Sequence, residues 1–291
     1  YNPGYEGTID AWIAAGIYPI FANGNAGNCG YPSPPGLNTV GNPARSYHVT
    51  AVGSTGTNNG AYAPHSNWGP TDSADTINGS DYPNIKPQVV APGVSIRSAV
   101  ASGDSAYGAW TGTSMSAPHV AGLIPLIWQA APCLLGEYAT TETLIQNTAV
   151  PIPYPTGNGD EGPANIPNHA TGWGETDAFA AVKAAMEMCA GPNIEGKVFD
   201  SLTRLPIPDA IIIMQAMDNG SNSRSSQTYK SGYYIQDVVI HESYNISADL
   251  DGYQDSIPIE DVVLSSPDMV VTVNFYLDRE NLRHYFFPIF H

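Results

Sequence analysis

Residues 112–122 read Gly-Thr-Ser-Met-Ser-Ala-Pro-His-Val-Ala-Gly, and this stretch decides how the rest of the chain is interpreted. A turn over residues 112–114 runs into an apolar segment that predicts a helix from Pro118 to about Ala130. Proline is tolerated in the first turn of a helix because no backbone donor is needed there. The pattern therefore places Ser114 at or just before a helix N-terminus, where free N–H groups and the helix dipole stabilise negative charge.

A serine at this position is either a helix cap or a nucleophile, and residue type alone favours the cap. A nucleophile that attacks a carbonyl leaves an oxyanion, which a helix N-terminus stabilises. Gly112 adds to this second interpretation, because a residue without a Cβ lets a substrate backbone come close. The whole eleven-residue string resembles the serine motif of the subtilisin-like serine peptidases (subtilases). The resemblance implies that Ser114 is the nucleophile and that Gly112 and Thr113 belong to the substrate-binding region.

A second motif follows a helix predicted over residues 8–17 and a short apolar strand predicted over residues 17–22. The strand ends in Asn-Gly-Asn-Ala-Gly, residues 23–27. Alone, this sequence indicates a turn. It also resembles the subtilase block that supplies the oxyanion donor, which implies that role for Asn25 and a substrate-binding position for Gly24. An amide N–H₂ suits the role because it donates a hydrogen bond without titrating.

A third segment, Val40-Gly41-Asn42-Pro43-Ala44, resembles the next subtilase block. The resemblance implies that Gly41 forms part of the wall of the pocket for the residue before the scissile bond. It also implies a cis Asn42–Pro43 peptide bond. Because no bulky or charged side chain stands at Gly41, we expect this pocket to accept large apolar residues.

A serine hydroxyl needs a general base, usually histidine, and a carboxylate that orients it. Subtilases carry these in Asp-(Ser/Thr)-Gly and His-Gly-Thr-His motifs ahead of the serine, and neither motif occurs here. His48 and His65 precede Ser114 without a following glycine, and His119 belongs to the serine motif, where the family's histidine is structural. We therefore expect that the chain holds the C-terminal half of a subtilase domain, that the catalytic Asp and His lie upstream, and that the chain alone is inactive.

The sequence pattern changes after Gly191-Pro192, where residues 194–278 read as short strands separated by turn residues. The predicted strands are Glu195–Phe199, Ala210–Ala216, Gln227–Val239, Tyr244–Leu250 and Met269–Leu277. Four short motifs occur in this part: Gly-Lys-Val-Phe-Asp at 196–200, Pro-Ile-Pro-Asp-Ala at 206–210, Ser-Gly-Tyr-Tyr at 231–234 and Asp-Gly-Tyr at 251–253. They resemble motifs of the carboxypeptidase regulatory-like (transthyretin-like) β-sandwich.

Residues 85–98 predict one buried strand followed by a turn, and they resemble the block that leads to the nucleophile in the bacillopeptidase F-like branch of the subtilases. The resemblance implies an α/β fold over residues 1–190, with a partial subtilisin-like parallel sheet flanked by helices. An all-β sandwich follows over residues 191–278. Residues 279–291 are a tail or the start of a further segment.

Composition limits the partners. The 291-residue chain has 27 acidic and 10 basic residues, a net charge of −17, which disfavours nucleic acid and anionic membranes. No run of 18 apolar residues predicts a membrane span. Only 13% of the residues are charged, and this loop-rich composition favours a secreted protein.

Cysteines and acidic residues leave alternatives open. Cys133 and Cys189 could pair and Cys29 could pair outside this chain, or all three could be free thiols. The proposed chemistry requires no cofactor and predicts no catalytic metal. Subtilases commonly bind structural Ca²⁺, but Asp72, Asp75 and Asp81 form no recognisable loop motif, so we interpret them as solvated carboxylates.

Two functions of different classes follow. The first is a serine endopeptidase that hydrolyses proteins or peptides through an acyl-enzyme, with Ser114 as nucleophile and Asn25 as oxyanion donor. The second is a non-catalytic binding or adhesion module derived from a peptidase. The intact serine and asparagine motifs favour the first. The missing Asp and His motifs favour the second only if Tyr1 is the true start of the protein.

Overall fold

The computed structural model describes residues 3–28, 30, 32–56, 61–71, 85–154, 166–189, 191–217, 222–239, 241–266 and 269–279. The chain divides into two compact units, Tyr1–Cys189 and Ala190–His291. Cys29 and the acidic residues Asp72, Asp75 and Asp81 lie outside the described residues.

The first unit is built on a parallel sheet of three strands in the order β1-β2-β3, namely Ile20–Ala22, Thr50–Thr55 and Val89–Pro92. Every residue of β2 is buried, as expected for a parallel strand covered on both faces. The helices are α1 Glu6–Ala14, α2 Thr113–Ala130, α3 Tyr138–Thr148 and α4 Ala178–Met188. The mixed α/β architecture with a parallel sheet is therefore confirmed.

Along the chain, a two-stranded antiparallel hairpin lies between β3 and α2, and the sequence did not predict it. Its strands are β4, Ile96–Ala99, and β5, Tyr107–Trp110. We predicted one buried strand followed by a turn over residues 85–98. The hairpin leads directly into Gly112, so it places the start of α2.

The predicted start of α2 is wrong by five residues. The helix begins at Thr113, not Pro118, and continues through Pro118 and Pro125 to Ala130. Gly112 is the residue before the helix, and its carbonyl accepts a hydrogen bond from Met115 N at 2.9 Å. Pro118 therefore lies inside the helix, where its ring nitrogen has no hydrogen to donate to the Ser114 carbonyl.

A disulfide joins Cys133, just after α2, to Cys189, just after α4. Its Cα atoms are 5.9 Å apart and the two residues are separated by 56 positions. This finding decides between the two alternatives for these cysteines. The bond fixes the last helix of the first unit against the segment that follows α2.

Reducing this bond in the complete protein is expected to lower the free energy of unfolding by about 4 kcal/mol, from the loop-closure entropy of a ring of this length. Thermal unfolding with and without dithiothreitol measures the effect as a lower Tm under reducing conditions. The double variant Cys133→Ser/Cys189→Ser is the control, since its Tm should not respond to the reductant. An equal response in the double variant would assign the effect to another cysteine.

In the described part of the second unit, every regular element is a strand. One sheet has the order β11-β10-β7-β8, and in the other β6 lies between β12 and β13 on one side and β9 on the other. The strands are β6 Asn193–Asp200, β7 Ile211–Ala216, β8 Arg224–Gln227, β9 Tyr233–Asp237, β10 Ser243–Asp249, β11 Ile259–Val263, β12 Val270–Thr272 and β13 Phe275–Leu277. Both sheets contribute side chains to one buried apolar cluster, among them Ile194, Val198, Met214, Tyr244, Ile246 and Phe275.

A buried carboxylate ties the end of this unit to its first strand. Asp200 is 2% exposed and accepts hydrogen bonds from Thr203 N at 2.7 Å, Tyr253 Oη at 3.1 Å and Arg279 Nε at 2.5 Å. Burial alone would raise the pKa of Asp200, but these hydrogen bonds together hold it well below its usual range. Arg279 is therefore bonded to the last residue of β6 in its own unit, although the sequence analysis placed it at the start of the tail. Residues 280–291 lie outside the described residues.

Candidate active site

Ser114 is the second residue of α2, and its side chain is exposed to solvent. The backbone N–H groups of a first helical turn have no acceptor within the helix, so they remain available to a ligand. The start of α2 is fixed to the end of β3, because Gly112 N donates to Gly93 O at 2.8 Å. Ser114 therefore presents its hydroxyl at the end of a helix that is anchored to the central sheet.

Asn25 lies in the loop after β1, and its carboxamide is held by the residue that precedes Ser114. Asn25 Oδ1 accepts hydrogen bonds from Thr113 N at 2.9 Å and from Thr113 Oγ1 at 3.2 Å. Thr113 Oγ1 also accepts a bond from Gly24 N at 3.2 Å. Because the carboxamide oxygen is occupied, the Nδ2 group of Asn25 is left to donate to another partner. Two motifs that are 88 residues apart in sequence thus meet through Thr113.

Thr113 itself is fully buried, so its side chain does not line an open surface. Its role in the geometry is to orient Asn25 and to hold the backbone of Gly24. The sequence analysis placed Thr113 in the substrate-binding region. In the structure its hydroxyl is buried and contacts Asn25 and Gly24.

Gly24 and Gly41 lie side by side at the end of β1. A Cβ on Gly24 would stand 3.5 Å from Gly41 N and only 2.7 Å from Asn67 Nδ2. Gly24 also has a φ of 103°, which residues with a side chain rarely adopt. Gly41 N donates to Asn23 O at 3.0 Å. Both glycines therefore have close backbone neighbours, and Gly24 has no room for a side chain.

The segment around Gly41 is fixed by packing on the sheet. The Asn42–Pro43 peptide bond is cis, as the resemblance implies. Residues on either side of it join β2 in a small buried apolar cluster made of Val40, Ala44 and Ala51. Gly41 thus has a defined position beside the loop that carries Asn25.

Ser114 also lines a cleft of about 330 Å³. The β4–β5 hairpin forms one wall and the first turns of α2 form the other, with Ile96, Val100, Trp110, Met115, Pro118 and His119 among the lining residues. Trp110 is 61% exposed, although it borders the cleft. The cleft is mostly apolar and contains no carboxylate among these lining residues.

None of the histidines considered as a base is hydrogen-bonded to Ser114 in the described part of the chain. His119 Nδ1 bonds to the Met115 carbonyl at 2.9 Å, a helical i to i−4 contact. His48 Nδ1 pairs with Asp10 Oδ1 at 2.6 Å. His65 is partly buried, and burial lowers its pKa below the ordinary value. The contacts of His48 and His119 thus engage a ring nitrogen of each away from Ser114.

Sequence reasoning missed Asn67, which packs directly against the Asn25 loop. Asn67 is fully buried, and its backbone N donates to Gly24 O at 3.1 Å. The contact joins segments that are far apart in sequence, so no local spacing could have found it. The sequence offers one local signal for Asn67, namely a polar residue beside Trp68 in a segment with few charged residues.

Within the described residues, no group of three or more His, Cys, Asp or Glu side chains is arranged to hold a metal ion. Across the same residues, no helix combines the length and apolar character needed to cross a membrane.

Comparison with known proteins gives relatives of one kind. The chain is 35% identical over 183 residues to Bacillopeptidase F of Bacillus subtilis, a match that covers 63% of this chain and 11% of that protein. It is 33% identical over 187 residues to an Extracellular protease of Xanthomonas campestris, covering 62% and 26%. The chain therefore spans about a tenth to a quarter of the length of these relatives.

Among solved structures, a protease from Pseudoalteromonas arctica matches at 27% identity, with a TM-score of 0.43 and coverage of 63% of this chain and 47% of that one. Fervidolysin from Fervidobacterium pennivorans, described as a keratinolytic enzyme related to subtilisin, matches at 21% identity with a TM-score of 0.42 and covers 94% of this chain and 42% of that one. The sequence profile of the Subtilase family, Peptidase_S8, matches residues 2–174, which is more than half of the chain and contains Asn25, Gly41 and Ser114. The chain therefore belongs to the subtilase family of serine peptidases.

Proposed function

We propose that this chain is the nucleophile-bearing part of a serine endopeptidase, with Ser114 as nucleophile and Asn25 as oxyanion donor. The observation that carries the proposal is the pair of hydrogen bonds from Thr113 to Asn25 Oδ1. It joins the candidate donor to the residue before the candidate nucleophile. Helix capping does not account for Ser114, because Gly112 is the residue before the helix and Ser114 lies within its first turn.

The proposed reaction is acyl transfer to Ser114 followed by hydrolysis. Ser114 Oγ attacks the scissile carbonyl carbon while a histidine takes its proton. The carbonyl oxygen becomes an oxyanion, which accepts hydrogen bonds from Asn25 Nδ2 and from the Ser114 backbone N–H. The histidine then protonates the departing amine, and water hydrolyses the ester. No cofactor takes part in this scheme, and any Ca²⁺ would be structural.

We propose that the base and its carboxylate come from a segment that precedes Tyr1 in the complete protein. The Asp and His motifs are missing from this chain, and its relatives are four to nine times longer than the matched part. β1 has a pairing partner on one side only among the described strands. Next to it lies an apolar groove of about 310 Å³ formed by Tyr18, Ile20, Ala121, Ile124, Pro125 and Trp128. A preceding segment that covers this groove would complete both the sheet and the site.

The substrate class follows from the family, and we propose proteins or peptides with a large apolar residue before the scissile bond. Gly24, Gly41 and Gly112 would border the substrate backbone, and Thr113 would act through Asn25. We also propose that the protein works outside the cell. The Cys133–Cys189 disulfide is typical of oxidising compartments, and one relative is named an extracellular protease. The net charge of −17 disfavours nucleic-acid partners.

For residues 191–278 we propose a carboxypeptidase regulatory-like β-sandwich with no catalytic role. Two sheets that share one apolar cluster support this proposal. The unit would serve as a spacer or as a binding module for a polymer or peptide.

The alternative is a non-catalytic module that retains a relic serine site. The positions of three histidines favour this alternative. His119 is bonded to Met115, His48 is bonded to Asp10, and His65 is partly buried. N-terminal sequencing and intact mass of the native protein, together with a casein hydrolysis assay, distinguish the two. We expect the native protein to have an upstream extension, or a companion chain, that carries Asp-(Ser/Thr)-Gly and His-Gly-Thr motifs. We also expect the native protein to hydrolyse casein. A native protein that begins at Tyr1, travels alone and leaves casein intact would establish the alternative.

Oxidation of Met115 is expected to lower the peptidase activity. Met115 follows Ser114, is partly exposed and borders the same cleft, so a sulfoxide oxygen would place a polar group beside the reacting atoms. Hydrogen peroxide should reduce the casein hydrolysis rate of the complete protein. The matched variant Met115→Leu should keep its rate under the same treatment. Equal losses in both proteins would mean that another residue is the sensitive one.

A further inference from the structure

The loop that carries Asn25 is held by a second segment, residues 65–67. Asn67 N donates to Gly24 O at 3.1 Å, and Ala26 N donates to His65 O at 2.7 Å. Asn25 itself forms an antiparallel bridge with Ser66. The backbone on both sides of Asn25 is therefore paired, and residues 65–67 form the support on which the candidate oxyanion donor rests.

The side chain of Asn67 is the unusual part of this support. It is fully buried, yet neither Oδ1 nor Nδ2 has a hydrogen-bond partner among the described residues. A buried amide is costly unless it gains something in the folded state, and the described residues offer it no hydrogen bond. Its Nδ2 occupies the space that a Cβ on Gly24 would need, only 2.7 Å away.

Gly24 is held between Asn67 and Thr113. Its carbonyl accepts from Asn67 N, and its N–H donates to Thr113 Oγ1 at 3.2 Å. Its φ of 103° is open only to a residue without a side chain, and glycine is also the residue that leaves this conformation most easily. A peptide flip at Gly24 would turn Asn25 away from Thr113.

We propose that Asn67 is a positioning residue for the reaction, which acts by filling the space against Gly24 and so prevents the Asn25 loop from changing conformation. The inference rests on the proposed peptidase function and on the oxyanion role of Asn25. Asn67 acts through shape, not through a hydrogen bond of its amide. It touches neither the substrate nor the reacting atoms.

The test compares three variants of the complete protein with a chromogenic peptide substrate. Asn67→Ala removes the filling group, and we expect kcat to fall about tenfold with KM unchanged, since small misplacements of catalytic groups are costly. Asn67→Leu keeps the shape without the polar atoms, so it should restore most of the kcat lost in the alanine variant.

The decisive measurement is the double variant Asn25→Ala/Asn67→Ala. If Asn67 acts through Asn25, removing it in the Asn25→Ala background should cost almost nothing more. Leu144→Ala is the stability control, because Leu144 is buried in α3 away from the site and its truncation destabilises the same unit. At temperatures well below its Tm, this control should keep its kcat.

Two results overturn the inference. One is a loss in kcat on Asn67→Ala that is equally large in the Asn25→Ala background, and the other is an Asn67→Leu variant no more active than Asn67→Ala. A failure of the proposed function looks different, because either the unmodified complete protein would not hydrolyse the peptide or Ser114→Ala would remain active.

Discussion

Replacing Ser114 by alanine in the complete protein is expected to lower kcat by about 10⁶-fold, the scale established for loss of the nucleophile in a subtilisin. Under the proposed mechanism the variant loses the atom that forms the acyl-enzyme, while the proposed oxyanion donors remain. Thr113 and Asn25 are held by backbone and side-chain bonds that do not involve the Ser114 hydroxyl. We therefore expect an unchanged fold and a small residual rate. The measurement is hydrolysis of a chromogenic peptide at saturating substrate.

Ser116→Ala is the matched control, because Ser116 lies two residues further along α2 and is fully buried. Its hydroxyl has no hydrogen-bond partner among the described residues, so its removal should leave kcat close to wild type. A Ser114→Ala variant as active as Ser116→Ala would contradict the assignment of the nucleophile.

Asn25→Ala is expected to lower kcat by about 10²–10³-fold with little change in KM, the usual cost of one oxyanion donor. The substrate carbonyl oxygen gains charge only in the transition state, so a donor aimed at that charge affects kcat more than ground-state binding. In this protein the donor is held ready, because Thr113 occupies the carboxamide oxygen at 2.9 and 3.2 Å. Steady-state kinetics on the same peptide separate kcat from KM.

The control for this prediction is Asn28→Ala, three residues further along the same loop. The backbone N–H of Asn28 donates a hydrogen bond to Asn25 O at 3.2 Å, and an alanine at this position would retain that bond. The side chain of Asn28 is exposed. We expect kinetics close to wild type. If Asn25→Ala raised KM without lowering kcat, Asn25 would be a binding residue and the proposed oxyanion role would be wrong.

The sequence predicted the first unit well where short apolar runs lie next to strong turn residues. The strand that ends at Ala22 and the helix that ends at Ala130 both follow this rule. The start of α2 was misplaced because Pro118 resembles a helix-start signal, whereas Gly112 is the residue before the helix. A proline six residues into a helix is tolerated here, and helix propensity alone does not reveal this.

The second unit shows why strand boundaries are harder to predict than the presence of strands. The predicted strand Gln227–Val239 is two strands, separated by a turn in which Gly232 has a φ of 72°. Met269–Leu277 is also two short strands, because Val273 O approaches β6 at Gly196, where a Cβ would lie only 1.7 Å away. Close backbone approaches of this kind depend on partners distant in sequence.

The candidate site was predictable only residue by residue. Ser114, Asn25 and Gly41 were proposed as site residues from motifs, but nothing local showed that Thr113, the residue before Ser114, would bind Asn25. Asn67 was missed altogether because its role depends on a contact with Gly24. The sequence therefore indicated which groups could react, and the folded chain indicates which groups hold them in place.

The most direct test of the central claim is to treat the complete native protein with a fluorophosphonate and map the adduct by peptide mass spectrometry. Such reagents phosphonylate an activated serine and leave ordinary hydroxyls unmodified. The account predicts one adduct, on Ser114 in the peptide that contains Gly112 and Met115, with loss of casein hydrolysis in proportion to labelling. An active protein that is labelled at another serine, or that keeps full activity after complete labelling of Ser114, would contradict it.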